Sequence, residues 1–293
     1  MLFMSRKVSI LYKVVVVKYF YVLLEINQNN FMKFGICNIS MIPLRKEARH
    51  QSEMISQLLF GELYVILSEE NDWTFIRNCN DNYEGWISKA QSRAISEESF
   101  HKLNNADVSL TADLVQLVTN ETRKQGIIVT LGCSMPNLIN NTFYIEDEKY
   151  TYHGTVMNRT PKASDKIRKE IIENAYVFIN APYLWGGRTP FGVDCSGFIQ
   201  MIYHLSGVTL QRDAAKQADQ GDLVHWVSEA IPGDLAFFDN QEGDITHVGM
   251  LLSNSRVIHA SGKVRIDAID HLGIFNEEVR RYSHKIRLIK RML

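Results

Sequence analysis

A cysteine at position 195 stands in the run GVDCSGF, residues 192–198, between Asp194 and Ser196. The residues that follow, CSGFIQMIYHLSG, bring Phe198, Ile199, Ile202 and Leu205 round at helical spacing, with Gly207 as a natural stop. Cys195 is therefore expected at, or one residue from, a helix start, where unpaired N–H groups and the positive dipole end favour a thiolate. Gly186, Gly187, Gly192 and Gly197 thin the surrounding loop, which lets a substrate carbonyl come close to the backbone. A thiol nucleophile needs a base, and the base needs an orienting partner. The run THVGMLLSNSRVIHASG reads as a β-hairpin turning at SNS, so His247 and His259 lie near the outer ends of its arms, in one neighbourhood. His247 is the expected base and His259 the residue that fixes its tautomer. The faces of the two rings depend on strand register, which spacing alone leaves open.

The other cysteines and histidines lack such a setting. Cys37, Cys79 and Cys133 sit in apolar or strand-like sequence and read as small buried hydrophobes. With no C-x-x-C pair, neither a zinc finger nor a disulfide scaffold is expected. Histidines 50, 101, 153, 204, 225, 271 and 284 read as surface or packing residues.

The elements that must position Cys195, His247 and His259 belong to a chain of 293 residues, long enough for two or three domains. Its 45% hydrophobic and 22% charged residues are those of an ordinary globular protein. With 32 Lys and Arg against 33 Asp and Glu there is no basic field to attract nucleic acid, and a small or peptidic partner is expected. Residues 1–31 are basic and apolar. Lys13 and Lys18 interrupt the apolar run and no small-x-small cleavage site follows, so neither an export signal nor a membrane span is expected. The segment reads as an upstream extension outside the fold, with a domain starting at Met32.

Residues 32–95 carry short period-2 runs, LYVILSEE, WTFIRNC and EGWISKA, separated by turns and preceded by a long polar loop, RKEARHQSEMISQLLFGE. Strands so close together, with no helix between them, suggest a small barrel. Residues 96–162 look like a weaker second copy, with DLVQLV, GIIVTLG and TFYIEDEKYTYHGTV as strands and SMPNLINN as a connector. From 163 to 293 the period changes. Ile167, Ile171, Ile172, Ala175 and Phe178 form a helical stripe with Ser164 or Asp165 as N-cap, the Cys195 helix follows, and then several strands: an α+β domain.

In order, YLWGG, DCSGF, PGDLAFF, THVGM and HASG resemble the motifs of the NlpC/p60 cysteine peptidases, which have a papain-like fold and cleave bacterial cell-wall peptides. That resemblance implies Cys195 as nucleophile, His247 as base and His259 as third member, with Tyr183 helping the Cys195 N–H hold the oxyanion. The front half resembles bacterial SH3-like domains. Together the parts are similar to the γ-D-glutamyl-L-diamino acid endopeptidases that recycle murein peptides, in which the first SH3-like domain closes one end of the cleft. The resemblance then implies that Tyr83, Glu53, Asp194, Ser196 and Asp213 meet the free amine of an N-terminal L-Ala, Glu62 being the rival to Glu53. Ala214 departs from the pattern, where relatives carry a serine. A closed pocket of carboxylates and hydroxyls suits an ammonium group.

The resemblance implies a murein peptide as substrate, no metal or organic cofactor, no stable membrane insertion and a cytoplasmic setting. One alternative is an exported hydrolase of intact wall with its SH3-like domains as wall-binding modules. Others are a catalytically dead binding module, and a metal site of Asp194, Cys195, His247 and His259, which the mixed ligands and the helix start fit poorly.

Overall fold

A computed structural model describes residues 33–158 and 163–293; the extension expected over 1–31 lies outside the described residues. The first seven strands, β1 (Lys33–Ile36), β2 (Met41–Arg45), β3 (Met54–Leu59), β4 (Leu63–Glu70), β5 (Trp73–Asn78), β6 (Glu84–Ser88) and β7 (Ala94–Ile95), form one sheet in the order β3-β2-β6-β5-β4-β1-β7. Alternation along these strands turns Ile42, Leu44, Leu58, Ile76 and Ile87 into a core shared with Cys37 and Tyr64. The stretch expected as one long polar loop is a loop only from Lys46 to Glu53. Its first residue, Arg45, closes β2, and most of its remainder is β3, paired with β2 through Ile42 and Leu58 and followed by a turn at Glu62. Ser56, Gln57, Leu58 and Leu59 are all buried in β3, so its polar residues face a neighbouring domain and not water.

A helix follows, α1 (Glu97–Asn104), capped by the Ser96 side chain accepting from the Ser99 N–H. The second all-β unit holds β8 (Val108–Thr111), β9 (Val115–Asn120), β10 (Gln125–Thr130), β11 (Ser134–Pro136), β12 (Thr142–Ile145), β13 (Glu148–Tyr152) and β14 (Val156–Asn158). They make a four-stranded sheet, β10-β9-β13-β12, and a three-stranded one, β11-β8-β14. The expected connector SMPNLINN thus contributes a strand, because Ser134–Pro136 pairs with β8. Glu148 ties the two β units together: it accepts from Arg93 of the first (2.9 Å) and from Asn120 (2.7 Å), Arg123 (2.8 Å) and Tyr150 (2.8 Å) of the second.

The α+β part begins with α2 (Ser164–Val177), whose N-cap is Ala163 without a side-chain bond; Ser164 and Asp165, the expected caps, lie inside the first turn. A two-stranded ribbon, β15 (Arg188–Thr189) and β16 (Gly192–Val193), leads into α3 (Cys195–Leu205), and α4 (Ala214–Ala218) follows. The sheet comprises β17 (Asp222–Val224), β18 (Leu235–Asp239), β19 (Ile245–Ser253), β20 (Arg256–Ser261), β21 (Lys263–Ile269), β22 (Gly273–Asn276) and β23 (Arg281–Arg291). Its order is β17-β23-β18-β19-β20-β21-β22, and β23 also pairs with β22, which closes the strands on themselves. Helix α3 lies against β19 and β20. A single apolar cluster runs from Leu59 and Phe60 through Leu131 and Met135 to Met201 and Leu205, so all three parts share one core.

Candidate active site

Cys195 is the first residue of α3, with Asp194 as N-cap: an Asp194 oxygen accepts from the Gly197 N–H at 2.6 Å. The sulfur faces the backbone N–H groups of Val248, on β19, and of its own neighbour Ser196. The helix start alone was expected to favour a thiolate. Burial, seconded by the Asp194 carboxylate, wins instead and pushes the Cys195 thiol up to about 11. Cys195 therefore rests as a thiol and must lose its proton to a base during attack. The buried Cys37 and Cys133 and the partly buried Cys79 are free thiols, likewise raised by burial.

The hairpin expected from THVGMLLSNSRVIHASG is β19–β20, and it brings the two histidines into contact: His247 Nε2 and His259 Nδ1 lie 2.9 Å apart, both rings buried. A residue that sequence reading passed over fixes the proton between them. Asp267 on β21 approaches His259 Nε2 at 2.9 Å and accepts from Arg265 at 2.7 and 2.9 Å. Burial raises Asp267, but the bonds from His259 and Arg265 more than offset it and hold the carboxyl below its usual range. An ionised Asp267 only accepts, so His259 carries its proton on Nε2 and offers the Nδ1 lone pair to His247 Nε2–H. His247 is left with a free lone pair on Nδ1. Burial first, then His284 and His259, hold His247 well below the ordinary imidazole range, so it is neutral and able to accept a proton. The signal for Asp267 was present: Arg265 and Asp267, two apart in a strand, share a face, and Arg265 is the cross-strand partner of His259.

His284, expected as a surface or packing residue, is half-buried on β23 and stacks on His247, with ring centroids 4.1 Å apart and planes at 23°. It reaches that place because β23 inserts beside β18, an order that local periodicity cannot show. Tyr183, on the approach to α3, is partly buried, and its hydroxyl has no hydrogen-bond partner among the described residues. Burial and then the neighbouring Cys195 push it up to about 12, so it keeps its proton beside the sulfur.

The first β unit docks on the catalytic unit through polar contacts. Tyr83 donates to Asp213 Oδ1 at 2.8 Å. Arg212 donates to Ser56 Oγ on β3 at 3.0 Å, and Trp185 to Glu53 Oε1 at 2.7 Å. Deeper in, Arg188 forms a double ion pair with Glu62 at 2.9 and 3.0 Å and donates to the Gln57 carbonyl at 2.6 Å. Glu62, the rival to Glu53, is thus consumed at a buried junction, whereas Glu53 stands at the rim.

The residues expected to meet an amine fall into two groups. Asp194 receives the Gly186 N–H (2.8 Å), the Gly197 N–H and two Arg212 contacts (2.5 and 3.0 Å), and Ser196 Oγ also takes an Arg212 N–H at 3.0 Å. Both are turned onto Arg212 and the helix start. Asp213, by contrast, makes no cap for α4, and its second oxygen has no partner among the described residues. Arg212 was missed because an arginine next to an aspartate reads as a surface pair. It is in fact one of the largest fully buried side chains.

The glycines expected to admit substrate serve mainly the protein's own packing. A Cβ on Gly187 would meet the Gly192 carbonyl, and one on Gly197 the Gly187 carbonyl. Gly186, at φ +76°, turns the loop in the left-handed region and lies so close to Met54 of β3 that no side chain fits.

A thiol at a buried helix start, held against Val248, next in the chain to an imidazole that is braced by a second imidazole and a carboxylate, is the arrangement of a papain-like α+β thiol hydrolase. Residues 180–281 match the NlpC/P60 family and residues 44–91 the bacterial dipeptidyl-peptidase Sh3 domain. The chain is a hydrolase that carries an NlpC/P60 domain behind a dipeptidyl-peptidase SH3 domain. It is 27% identical to a gamma-D-glutamyl-L-lysine dipeptidyl-peptidase of Bacillus subtilis (strain 168), over 70% of this chain and 71% of that protein. It is also 27% identical to dipeptidyl-peptidase 6 of Lysinibacillus sphaericus, over 78% of this chain and 89% of the relative. The crystal structure of an NlpC/P60 family protein from Bacillus cereus ATCC 10987 shares the fold, with a TM-score of 0.73 over 89% of this chain and 99% of that one at 18% identity.

Proposed function

We propose that the protein hydrolyses the bond between γ-D-Glu and the diamino acid in murein peptides that carry a free N-terminal L-Ala, releasing L-Ala-D-Glu in the recycling of wall peptides. The bond from Tyr83 of the first β unit to Asp213 beside the Cys195 helix carries this reading, because it places a hydroxyl and a half-free carboxylate at one end of the cleft. An ammonium group finds there the acceptors it requires, with Glu53 at the rim, and a closed end limits the enzyme to dipeptide release. The name of the Bacillus subtilis relative agrees with this bond class, and that of the Lysinibacillus sphaericus relative with release of a dipeptide.

The chemistry follows from the proton order. As Cys195 Sγ attacks the γ-carbonyl carbon, its proton passes to His247 Nδ1, and the growing positive charge is shared through His259 to Asp267. In this reading the Tyr183 hydroxyl and the Cys195 N–H hold the oxyanion. Imidazolium His247 then protonates the departing amine, leaving a thioester. Water attacks that thioester with His247 again as base, and the dipeptide leaves. Recycling of free wall peptides would set the reaction in the cytoplasm.

The test compares L-Ala-γ-D-Glu-diaminopimelate with its N-acetylated form. Turnover of the free-amine peptide alone is expected. Equal turnover of both, or release of peptides from whole sacculi, would remove the amine pocket from the reading. Cys195→Ala abolishes turnover with folding intact; residual activity would refute the thiol mechanism.

A further inference from the structure

His247, His259 and His284 each present one ring nitrogen, and the three nitrogens lie within 4.8 Å of one another. Only two of these rings are needed for the proton order described above. The third comes from a different strand, β23, and is brought in beside β18 by the sheet order. The backbone is built for that approach: at Gly273, φ +139°, a side chain would run into the His284 carbonyl. His284 Nδ1 is held by Ser283 Oγ at 2.8 Å.

We propose that these three histidines form a site for a divalent d-block ion of the Zn2+ type, and that the ion holds the hydrolase off. Three imidazoles with one open position are a common zinc ligand set. At Zn–N distances of about 2.0–2.1 Å, tetrahedral ligand nitrogens stand roughly 3.3 Å apart. The His247–His259 pair at 2.9 Å must open by a few tenths of an ångström, while the His284 nitrogen, within 4.8 Å of the others, must close by up to about 1.5 Å, its ring turning out of the stack on His247 so that the lone pairs converge. His259 already donates its other N–H to Asp267, itself anchored by Arg265, which is the carboxylate brace that orients metal-bound histidines.

The off state rests on the reading of His247 as the base. An ion on His247 Nε2 obliges the ring proton to move from Nε2 to Nδ1; no proton is released and no bond to sulfur is made. With Nδ1 protonated and Nε2 on the ion, His247 has no lone pair left to receive the thiol proton, and attack stops.

The full chain, freed of metal by a chelator, is titrated with Zn2+ against a chromophoric competitor, and with Co2+ for its visible spectrum. One ion per chain with a tetrahedral Co2+ spectrum is expected. Cys195→Ser retains the affinity. His284→Phe keeps a ring stacked on His247 but removes the nitrogen, and it loses at least tenfold, since even outer-shell changes cost that much. Absence of stoichiometric binding, an unchanged affinity in folded His284→Phe, or loss of the ion in Cys195→Ser each overturns the site. Activity is read separately. Full peptide hydrolysis with the ion bound overturns the off state, whereas His284-dependent binding by a protein that cleaves no murein peptide upholds the site and refutes only the reading of the substrate.

Discussion

Replacing Arg188 by methionine tests whether the first β unit and the catalytic unit are joined by one buried charge. The guanidinium is 1% exposed and faces Glu62, also 1% exposed; Glu62 in addition accepts the Leu59 N–H. Asp81 lies within its field as well: burial raises that carboxyl and Arg188 is the largest opposing influence. Methionine preserves most of the volume but leaves Glu62 buried without its partner and deprives Asp81 of its compensating charge. Removing one member of such a pair costs about 3–5 kcal/mol. That is a large part of the 5–15 kcal/mol typical of a domain. With a slope of about 3 kcal/mol per molar, the urea midpoint falls by roughly 1–1.7 M. Glu62→Gln alone destabilises too, and the double variant costs less than the sum, by about 1–3 kcal/mol. Equilibrium urea unfolding followed by circular dichroism measures all three. A loss below about 1 kcal/mol in Arg188→Met, or strict additivity, would refute the reasoning.

Three further outcomes are expected. Burial would raise Glu148, but the bonds from Arg93, Arg123, Tyr150 and Asn120 pull it down to about 2 from an ordinary 4.5, so its stabilisation is full above pH 4.5 and disappears as pH falls through 2. The urea-midpoint gap between wild type and Glu148→Gln should follow that course; a gap that persists at pH 2 contradicts it. Tyr83→Phe removes a hydrogen bond to a carboxylate worth about 1.5–3 kcal/mol, and kcat/KM for the free-amine peptide should drop roughly tenfold or more. Gly186→Ala places a Cβ in the left-handed region at about 1–2 kcal/mol and pushes on Met54 of β3, so thermal stability and kcat/KM should fall together. A variant as stable and active as wild type would show that the loop does not seat the first β unit.

What the sequence revealed was whatever repeats or pairs locally. The Cys195 helix could be read from its apolar stripe and Gly207, and the His247–His259 hairpin from two β-runs around SNS. The β5 and β6 strands were legible because each alternates a core face with a more exposed one, and β4 from its β-branched and aromatic residues. Alternation failed at β3, whose second face meets another domain, so Ser56 and Gln57 passed for loop residues. Arg188, Arg212 and the buried pairing of Glu62 were hidden for the same reason: charges buried against partners 18 to 126 residues away look like surface charges in one dimension. Asp267 was recoverable from its spacing with Arg265, given the register of β20 on β21. His284 was not, because only the order of the sheet brings β23 to His247.

That order has a consequence for synthesis. Strand β23, the last in the chain, lies between β17 and β18 and also reaches β22. Domains emerging from the ribosome fold from the front, so the two β units can form while the catalytic sheet still lacks an interior strand. Until residues 281–291 emerge, β17 has no neighbour and His247 lacks its stacked ring. A nascent chain thus gains its two β units first and the completed sheet that carries His247 last.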